Sequence, residues 1–327
     1  MNIFVSTLIR YKKFGYIYRV NISSGVKQKI RVENKTNIAK HGGPHGLAWC
    51  EDILVTGTYD DLRFYNRDLE QQLTFSHPFL SGVHGISTDG DRIWVSSCNN
   101  EGVFCFDRNG EIQESHFLIE NEKLMKIVGR EPISVDRTTD FRTKCVPYED
   151  QPFHVNDVVE TDSGLEVSLH KLGMVYDLHQ DRPVASISSN DIHDGRSYGD
   201  RAFINDTGAC RVVRLSKDGK IDGQVRIDVM ECASFQAKLS IYSQKAILKA
   251  LRLATRLLPK DLSKSWNCRP NWLRGMQVVD ENHVLVGTSP AAIALVNVEQ
   301  GTVEDFCQLS NRLCEAVFGI VTDQSDS

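Results

Sequence analysis

Pro44-His45-Gly46-Leu47-Ala48-Trp49 is echoed by Val83-His84-Gly85-Ile86-Ser87, by Phe153-His154-Val155-Asn156-Asp157-Val158 and by Ile192-His193-Asp194-Gly195-Arg196. Two further segments keep the pattern but change the residue at the histidine position: Leu273-Arg274-Gly275-Met276-Gln277-Val278 and Val317-Phe318-Gly319-Ile320-Val321. The first two histidines stand 39 residues apart, and so do the third and fourth. A period near 40 residues built from short strands is that of a β-propeller blade.

The residues after each copy carry the same message. A turn rich in Asp, Gly or Asn leads to a second apolar strand over Asp52–Thr58, Asp91–Cys98, Gly164–His170, Asp200–Asp206 and Asn282–Ser289. Third strands follow, as in Leu62-Arg63-Phe64-Tyr65-Asn66 and Val103-Phe104-Cys105-Phe106-Asp107, and then more polar fourth strands over Gln71–Phe75, Ile112–Phe117, Gly223–Ile227 and Val303–Cys307. Short strands between regular turn signals read as all-β. The last copy, Ala316–Thr322, has no strands after it, whereas Asn2–Leu8, Gly15–Ile22 and Gln28–Val32 lack a first strand. Joining the two ends makes one more blade and leaves no free sheet edge. The sequence therefore predicts a single six-bladed β-propeller over residues 1–327.

Two stretches break the period, 119–152 and 229–270. Both connect an outer strand to the next inner strand, so both are expected on one face as lid segments. The second has helical spacing over Ser240–Leu258, with Ile241, Leu248, Leu251 and Leu258 on one side. Residues 238–264 carry seven Lys or Arg and one acid. That helix is expected to pack as a lid, with an acidic partner or a membrane surface as the alternative.

Composition bounds the rest. The 327 residues are 41% hydrophobic and 25% charged, with a net charge of −5. That balance speaks against a whole-protein nucleic-acid binder. No apolar run reaches the roughly 18 residues of a membrane-spanning helix. The N-terminus meets Tyr11-Lys12-Lys13 too soon for a signal peptide, and the nine cysteines contain no C-x-x-C pair. Free thiols and a cytoplasmic location are expected.

The first strand of each propeller blade lines the central channel, so a residue type repeated at one strand position forms a ring in space. Here the ring reads Phe318, His45, His84, His154, His193, Arg274. The chain has only 10 histidines, and four occupy this one position. Imidazole is a common ligand of zinc, copper and iron, and converging imidazoles can hold one ion with an open position for substrate. Ca²⁺ and Mg²⁺ prefer oxygen, so the set points to a transition metal such as Fe, Zn, Cu or Mn. His45, His84, His154 and His193 are the candidate ligands, with Asp157, Asp194 and Glu315 as groups that could orient them. Arg274 would clamp an anionic group, and Asn156 and Tyr198 would touch a small-molecule substrate. The same ring could instead bind an anion without metal, or tie blade to blade by hydrogen bonds. His170 ends a second strand near the same face and reads as a rim residue. His41, His77, His116, His179 and His283 read as surface residues. No P-loop, dinucleotide-binding glycine pattern or G-x-S-x-G elbow is present.

Phe153-His154-Val155-Asn156-Asp157, Ile192-His193-Asp194-Gly195-Arg196-Ser197-Tyr198, Asn205-Asp206-Thr207-Gly208 and Leu273-Arg274-Gly275-Met276 together resemble an uncharacterised family of bacterial propeller-like proteins. Its corresponding pieces have the form F-H-V-N-D, W-H-D-G-R-L-Y, N-S-G-T-G and L-R-G-L. The resemblance covers most of 45–322 and implies a propeller, with no activity attached. The chain departs from it at Ser189-Asn190-Asp191-Ile192, where a Pro-Arg-Trp-like run is expected. More distantly, carotenoid-cleaving oxygenases are similar in holding iron on four channel histidines, although they have seven blades. Arylsulfate sulfotransferases are similar in having six blades, a channel histidine as sulfuryl carrier and a nearby arginine. The expectation is an enzyme with a His-ligated metal in the channel. A metal-free His–Arg site of sulfuryl-transfer, lyase or hydrolase type and a non-catalytic binding scaffold are the alternatives.

Overall fold

A computed structural model describes residues 1–10, 12–35, 42–143, 146–162, 164–254 and 271–323, with the backbone alone for 247–254. Apolar alternation builds strands in groups of four. The first group is β1 (Asn2–Ile9), β2 (Phe14–Asn21) and β3 (Gly25–Glu33), which wait for a fourth member from the far end of the chain. The next blades are β4 (Leu47–Cys50), β5 (Ile53–Gly57), β6 (Leu62–Tyr65) and β7 (Gln71–Phe75), then β8 (Val83–Asp89), β9 (Arg92–Ser97), β10 (Gly102–Phe106) and β11 (Ile112–Phe117). They are followed by β12 (Val155–Thr161), β13 (Gly164–Leu169), β14 (Met174–Asp177) and β15 (Arg182–Ser186), and by β16 (Ile192–Tyr198), β17 (Arg201–Asp206), β18 (Arg211–Leu215) and β19 (Ile221–Arg226). The last full blade is β20 (Arg274–Val278), β21 (His283–Gly287), β22 (Ala292–Asn297) and β23 (Thr302–Gln308), and β24 (Glu315–Thr322) pairs with β1.

The result is a six-bladed propeller of four-stranded sheets. Its inner strands touch in the order β4, β8, β12, β16, β20, β24 and back to β4, which closes the ring. Polarity tracks distance from the axis. The inner strand Leu47–Cys50 is buried at every position, and the outer strand Gln71–Phe75 of the same blade is exposed at nearly every one. Between blades, large side chains such as Trp94, Phe104, Phe153, Tyr176 and Phe203 are fully buried. Each contributes roughly 2–3 kcal/mol by leaving water.

Closure rests on side chains as well as on the ladder. β24 runs antiparallel to β1 from Ile3↔Thr322 to Ile9↔Glu315. The buried Glu315 carboxylate accepts hydrogen bonds from the Thr7 hydroxyl at 2.9 Å and the Tyr18 hydroxyl at 2.7 Å. Trp49 of the neighbouring blade donates its indole N–H to the Thr322 carbonyl at 2.9 Å.

Of the two interruptions, the first forms α1 (Glu122–Ile127), capped by the Asn121 side chain and anchored by buried Leu124 and Met125. The second forms α2 (Val229–Cys232) and α3 (Phe235–Ala254). α3 begins earlier than the expected 240–258 because the Ser234 hydroxyl caps the Ala237 N–H at 3.3 Å. Residues 255–270 of the expected lid lie outside the described residues.

Free thiols were expected throughout. Cys50, Cys98, Cys105, Cys210, Cys232 and Cys307 are not in disulfides, but Cys314 is disulfide-bonded to a partner outside the described residues. A disulfide is uncommon in a reducing cytoplasm, so thiol status does not carry the compartment. Among the described residues no helix is long and apolar enough to cross a membrane.

Candidate functional site

The repeat position is built in the same way in five blades. Register breaks fall at Val83/Ile86, Val155/Asp157, Ile192/Gly195 and Arg274/Met276 on the inner strands. On β24 the ladder passes from Val317 to Gly319 and skips Phe318. A bulge releases residues from the ladder and re-aims the chain. The released residues are His84 with Gly85, Asn156, His193 with Asp194, Gly275 and Phe318, so the ladder breaks at the repeat position or within two residues of it. The side chains at the repeat position itself are those of Phe318, His45, His84, His154, His193 and Arg274.

Those side chains meet in an unbroken ring. Phe318 lies 5.0 Å from His45 between ring centroids, and His45 stacks on His84 at 5.5 Å with planes 6° apart. The circuit continues from His84 to His154 at 5.5 Å, from His154 to His170 at 5.3 Å, and from His170 to His193 at 5.2 Å. His193 meets Trp272 at 5.3 Å. The Arg274 guanidinium then closes the ring, 3.8 Å from the Trp272 ring and 4.3 Å from that of Phe318.

His170 therefore corrects the sequence expectation. It is buried between His154 and His193 and is part of the circuit, with no place on the rim. Cys98 and Thr207, which follow second strands as His170 does, also reach the inner-strand histidines, so a second set of side chains interleaves with the first. Trp272 precedes its repeat unit and gave no periodic signal. The first insertion adds Tyr148, whose ring lies 4.8 Å from His154 and whose hydroxyl donates to His170 Nε2 at 2.9 Å.

The tautomers can be assigned from the partners. His84 Nδ1 faces the Gly82 carbonyl at 3.1 Å and His170 Nδ1 the Ile192 carbonyl at 2.9 Å. His154 Nδ1 faces the Gln151 side-chain oxygen, whose amide N–H is committed to the Val146 carbonyl. His193 Nδ1 faces the Thr207 hydroxyl at 3.0 Å, and that hydroxyl donates to the Leu273 carbonyl at 2.8 Å. Every one of these partners accepts, so each imidazole carries its proton on Nδ1 and leaves Nε2 as a base. Burial, with the Arg274 charge behind it, pushes His84 down to about 4. Burial also holds His154, His170 and His193 below the usual histidine range. The imidazoles are neutral at pH 7.

His154 has φ = 52°, the left-handed region that few non-glycine residues enter. Glu101 holds it there by accepting the N–H groups of Phe153 at 2.9 Å, His154 at 2.8 Å and Val155 at 3.2 Å. Burial of that carboxyl raises it to about 7 against the pull of the three N–H groups.

Arg274 is the cation of the site. Its Nε has no hydrogen-bond partner, and among the described residues no carboxylate pairs with it. Loss of solvation, with Arg10 nearby, pushes its pKa down to about 9. Below the ring lies a small cavity of about 50 Å³ lined by His84, Asn156, Asp157, His193, Arg196 and Arg274. Asp157 pairs with Arg196 at 3.0 Å, and Asp194 accepts from Asn205 at 2.9 Å. Burial and the neighbouring Asp157 raise Asp194 to about 7.

Asn156 is in place. It is buried against the cavity and donates to the Ile192 carbonyl at 3.1 Å, and its side-chain oxygen has no hydrogen-bond partner. Tyr198 is not in place. It ends β16, five residues from His193 and so roughly 16 Å along the strand, and is 44% exposed. The expected orienting acids also lie elsewhere. Asp157 and Asp194 bond Arg196 and Asn205, and Glu315 bonds Thr7 and Tyr18 in the closing blade. The acid nearest the ring nitrogens is Asp191, 3.7 Å from His170 Nδ1 and 3.9 Å from His193 Nδ1, too long for hydrogen bonds.

The four expected metal ligands are neighbours in the ring but do not form one compact donor group. His84 and His154 converge with Cys98, their donor atoms within 4.8 Å of one another, and His193 converges with His170 and Asp191. In the second group the nitrogens near Asp191 are the Nδ1 atoms, and a metal there would have to displace their bonds to the Ile192 carbonyl and the Thr207 hydroxyl. The His84–Cys98–His154 group offers nitrogen and sulfur donors that suit zinc or copper. His41 lies outside the described residues. His77 packs on Phe79 and Phe106, and His283 pairs with Asp280. His116 and His179 gather around Glu114 on the outer strands.

No family model matches the chain, and no curated protein matches it. Solved structures do. A protein of unknown function from Bacteroides caccae is 8% identical over 97% of this chain and 98% of that one, with a TM-score of 0.56. A structure of a nidogen/laminin complex is 10% identical over 97% of both chains, also with a TM-score of 0.56. Likeness at such identity shows the propeller fold alone.

Proposed function

We propose that the channel mouth is a catalytic pocket for a small anionic molecule. Arg274 is its clamp and a neutral histidine beside it is its general base. The observation that carries this reading is Arg274 itself, a guanidinium set between two aromatic rings whose Nε has no hydrogen-bond partner and which, among the described residues, forms no ion pair, although Asp194 and Asp191 lie near enough to be felt by its charge. A poorly solvated charge without a counterion is costly, and a carboxylate, sulfate or phosphate group of a ligand offsets that cost through charge-assisted hydrogen bonds.

The imidazoles supply the other half of the chemistry. Each presents an unprotonated Nε2 at pH 7, and His84 feels the Arg274 charge directly. A substrate held by its anionic group on Arg274 would bring an adjacent O–H or C–H to a base that is free to take the proton. Arg274 then remains to stabilise charge that develops on the substrate. Proton abstraction in a lyase or hydrolase reaction fits this arrangement, and Tyr148 and Gln151 fix the base side of the pocket.

The test is calorimetric titration with sulfate, phosphate and malonate on wild type and Arg274→Gln, followed by a lyase and hydrolase screen on the anion class that binds. Binding of one class by wild type, at least tenfold weaker in the variant, is expected. No binding by wild type, or equal binding by the variant, overturns the reading.

A second reading is favoured by the convergence of His84, Cys98 and His154. These would hold a transition-metal ion, zinc or copper by their donor type, with iron and manganese as the remaining candidates of the imidazole set. A bound ion would act as a Lewis acid on the same substrate. Elemental analysis of untagged protein tests it. One ion per chain, lost in Cys98→Ala and His154→Ala and retained in Arg274→Gln, is expected. Wild type that stays metal-free after reconstitution rules it out.

A further inference from the structure

α3 (Phe235–Ala254) is only half accounted for by the fold. Its inner side is settled: Ala237 and Ile241 are buried with Val229, Ala233 and Leu313. Gln244 donates to the Asn311 carbonyl at 2.6 Å and accepts from the Leu313 N–H at 3.2 Å. The opposite side carries Phe235, Leu239 and Tyr242, which are 79%, 61% and 59% exposed. Spaced i, i+4 and i+7, they share one helix face, and they are three of the four most exposed large apolar side chains among the described residues, with Ile133 the other.

A stripe of large apolar residues turned to water marks an interaction surface, and its flank says what kind. Lys238 and Lys245 fall on one border of the stripe, and the sequence continues with Lys249, Arg252, Arg256, Lys260 and Lys264 against the single acid Asp261. In its described part the helix thus exposes an apolar face bordered by two lysines, and the sequence that follows is rich in Lys and Arg, in a chain whose net charge is −5. Apolar residues that enter the acyl boundary, bordered by lysines that meet headgroups, are the pattern of a helix lying in a membrane interface. Anionic lipid attracts such a helix where zwitterionic lipid does not.

We infer that α3 docks the protein on anionic membrane surfaces through Phe235, Leu239 and Tyr242, with the flanking lysines selecting negatively charged headgroups. The substitutions that test this face water, so they leave the packed side of α3 untouched. The experiment is flotation of the full chain with vesicles of pure phosphatidylcholine and with vesicles containing 30% phosphatidylserine. Wild type is expected to float with the second and not the first, and the bound fraction should fall severalfold as salt rises from ~50 to ~500 mM. The triple variant Phe235→Ser, Leu239→Ser, Tyr242→Ser should lose vesicle binding at least tenfold and keep the wild-type thermal melt. Lys238→Gln with Lys245→Gln should weaken binding at low salt only. Wild type that ignores both vesicles overturns the inference, and retention on immobilised polyglutamate without vesicle binding overturns it in favour of an acidic protein partner. Equal binding by the triple variant also overturns it.

Discussion

Replacing His84 by Gln should change how stability responds to pH more than it changes stability itself. In the fold, burial and Arg274 hold His84 down to about 4 against an ordinary 6.5. The unfolded chain therefore takes up a proton there as pH falls through 6.5, and the folded chain resists until pH 4. The sign is fixed by that order: the unfolded state gains free energy of protonation first, so acid destabilises the fold across this window. At pH 5 the cost from this one group is about 2 kcal/mol, 1.5 pH units at 1.36 kcal/mol each. Glu101 and Asp194 act in the opposite direction. Both are raised to about 7, so on acidification they take up protons first in the folded state and stabilise it. The wild-type profile alone mixes these signs. The informative quantity is the stability gap between wild type and His84→Gln, measured by urea unfolding at pH 7 and again at pH 5. That gap should move by about 2 kcal/mol in favour of the variant on going to pH 5. A gap that stays constant within error would show that His84 titrates normally and would remove the neutral-base argument for the ring.

Three further outcomes follow from described contacts. Glu101→Gln keeps the shape and one acceptor oxygen, but it puts an –NH₂ donor where the second carboxylate oxygen accepts, against a backbone N–H of the Phe153–Val155 turn. It should cost about 2–3 kcal/mol in urea unfolding and weaken anion binding by releasing His154. Glu315→Ala strands the Thr7 and Tyr18 hydroxyls inside the closing blade; a loss of about 2–4 kcal/mol by chemical denaturation is expected, and less than 1 would mean that closure rests on the ladder alone. Tyr148→Phe removes the donor to His170 Nε2, so it should raise the His170 pKa in an NMR titration while costing only about 1 kcal/mol.

The fold was legible because each blade repeats one binary pattern, and because Ala316–Thr322 and Asn2–Leu8 each lack what the other supplies. Strand limits agree with the structure to within a few residues, since burial polarity and turns mark them locally. The site was legible only in part. His45, His84, His154, His193 and Arg274 stood at one repeat position and do gather around the channel, with His170 and Trp272 inserted between members that were expected to touch. Tyr198 was misplaced because a strand carries its two ends far apart, and proximity in sequence within Ile192–Tyr198 does not mean proximity in space. His170 was undervalued because its counterparts Thr58 and Cys98 differ in type, although position, not type, brings it to the ring. The ladder breaks beside the repeat position have no sequence signature. Trp272 and Tyr148 lie outside the repeat unit and Glu101 sits in the turn between β9 and β10, and only the tertiary fold shows what they do.

The strand pairing between β1 and β24 also sets an order of events in biosynthesis. Thr7 and Glu315 are separated by 308 residues, so β1 leaves the ribosome with one edge bare and keeps it bare until nearly the whole chain has been made. Five blades can assemble while that edge waits, but the channel stays an open arc, and Phe318 is the last member of the ring to arrive. An incomplete nascent chain therefore holds most of the histidines without the enclosure that keeps them neutral, and the ring closes in a single late step. The unpaired edge of β1 is the surface that a chaperone, or a neighbouring nascent chain, meets first.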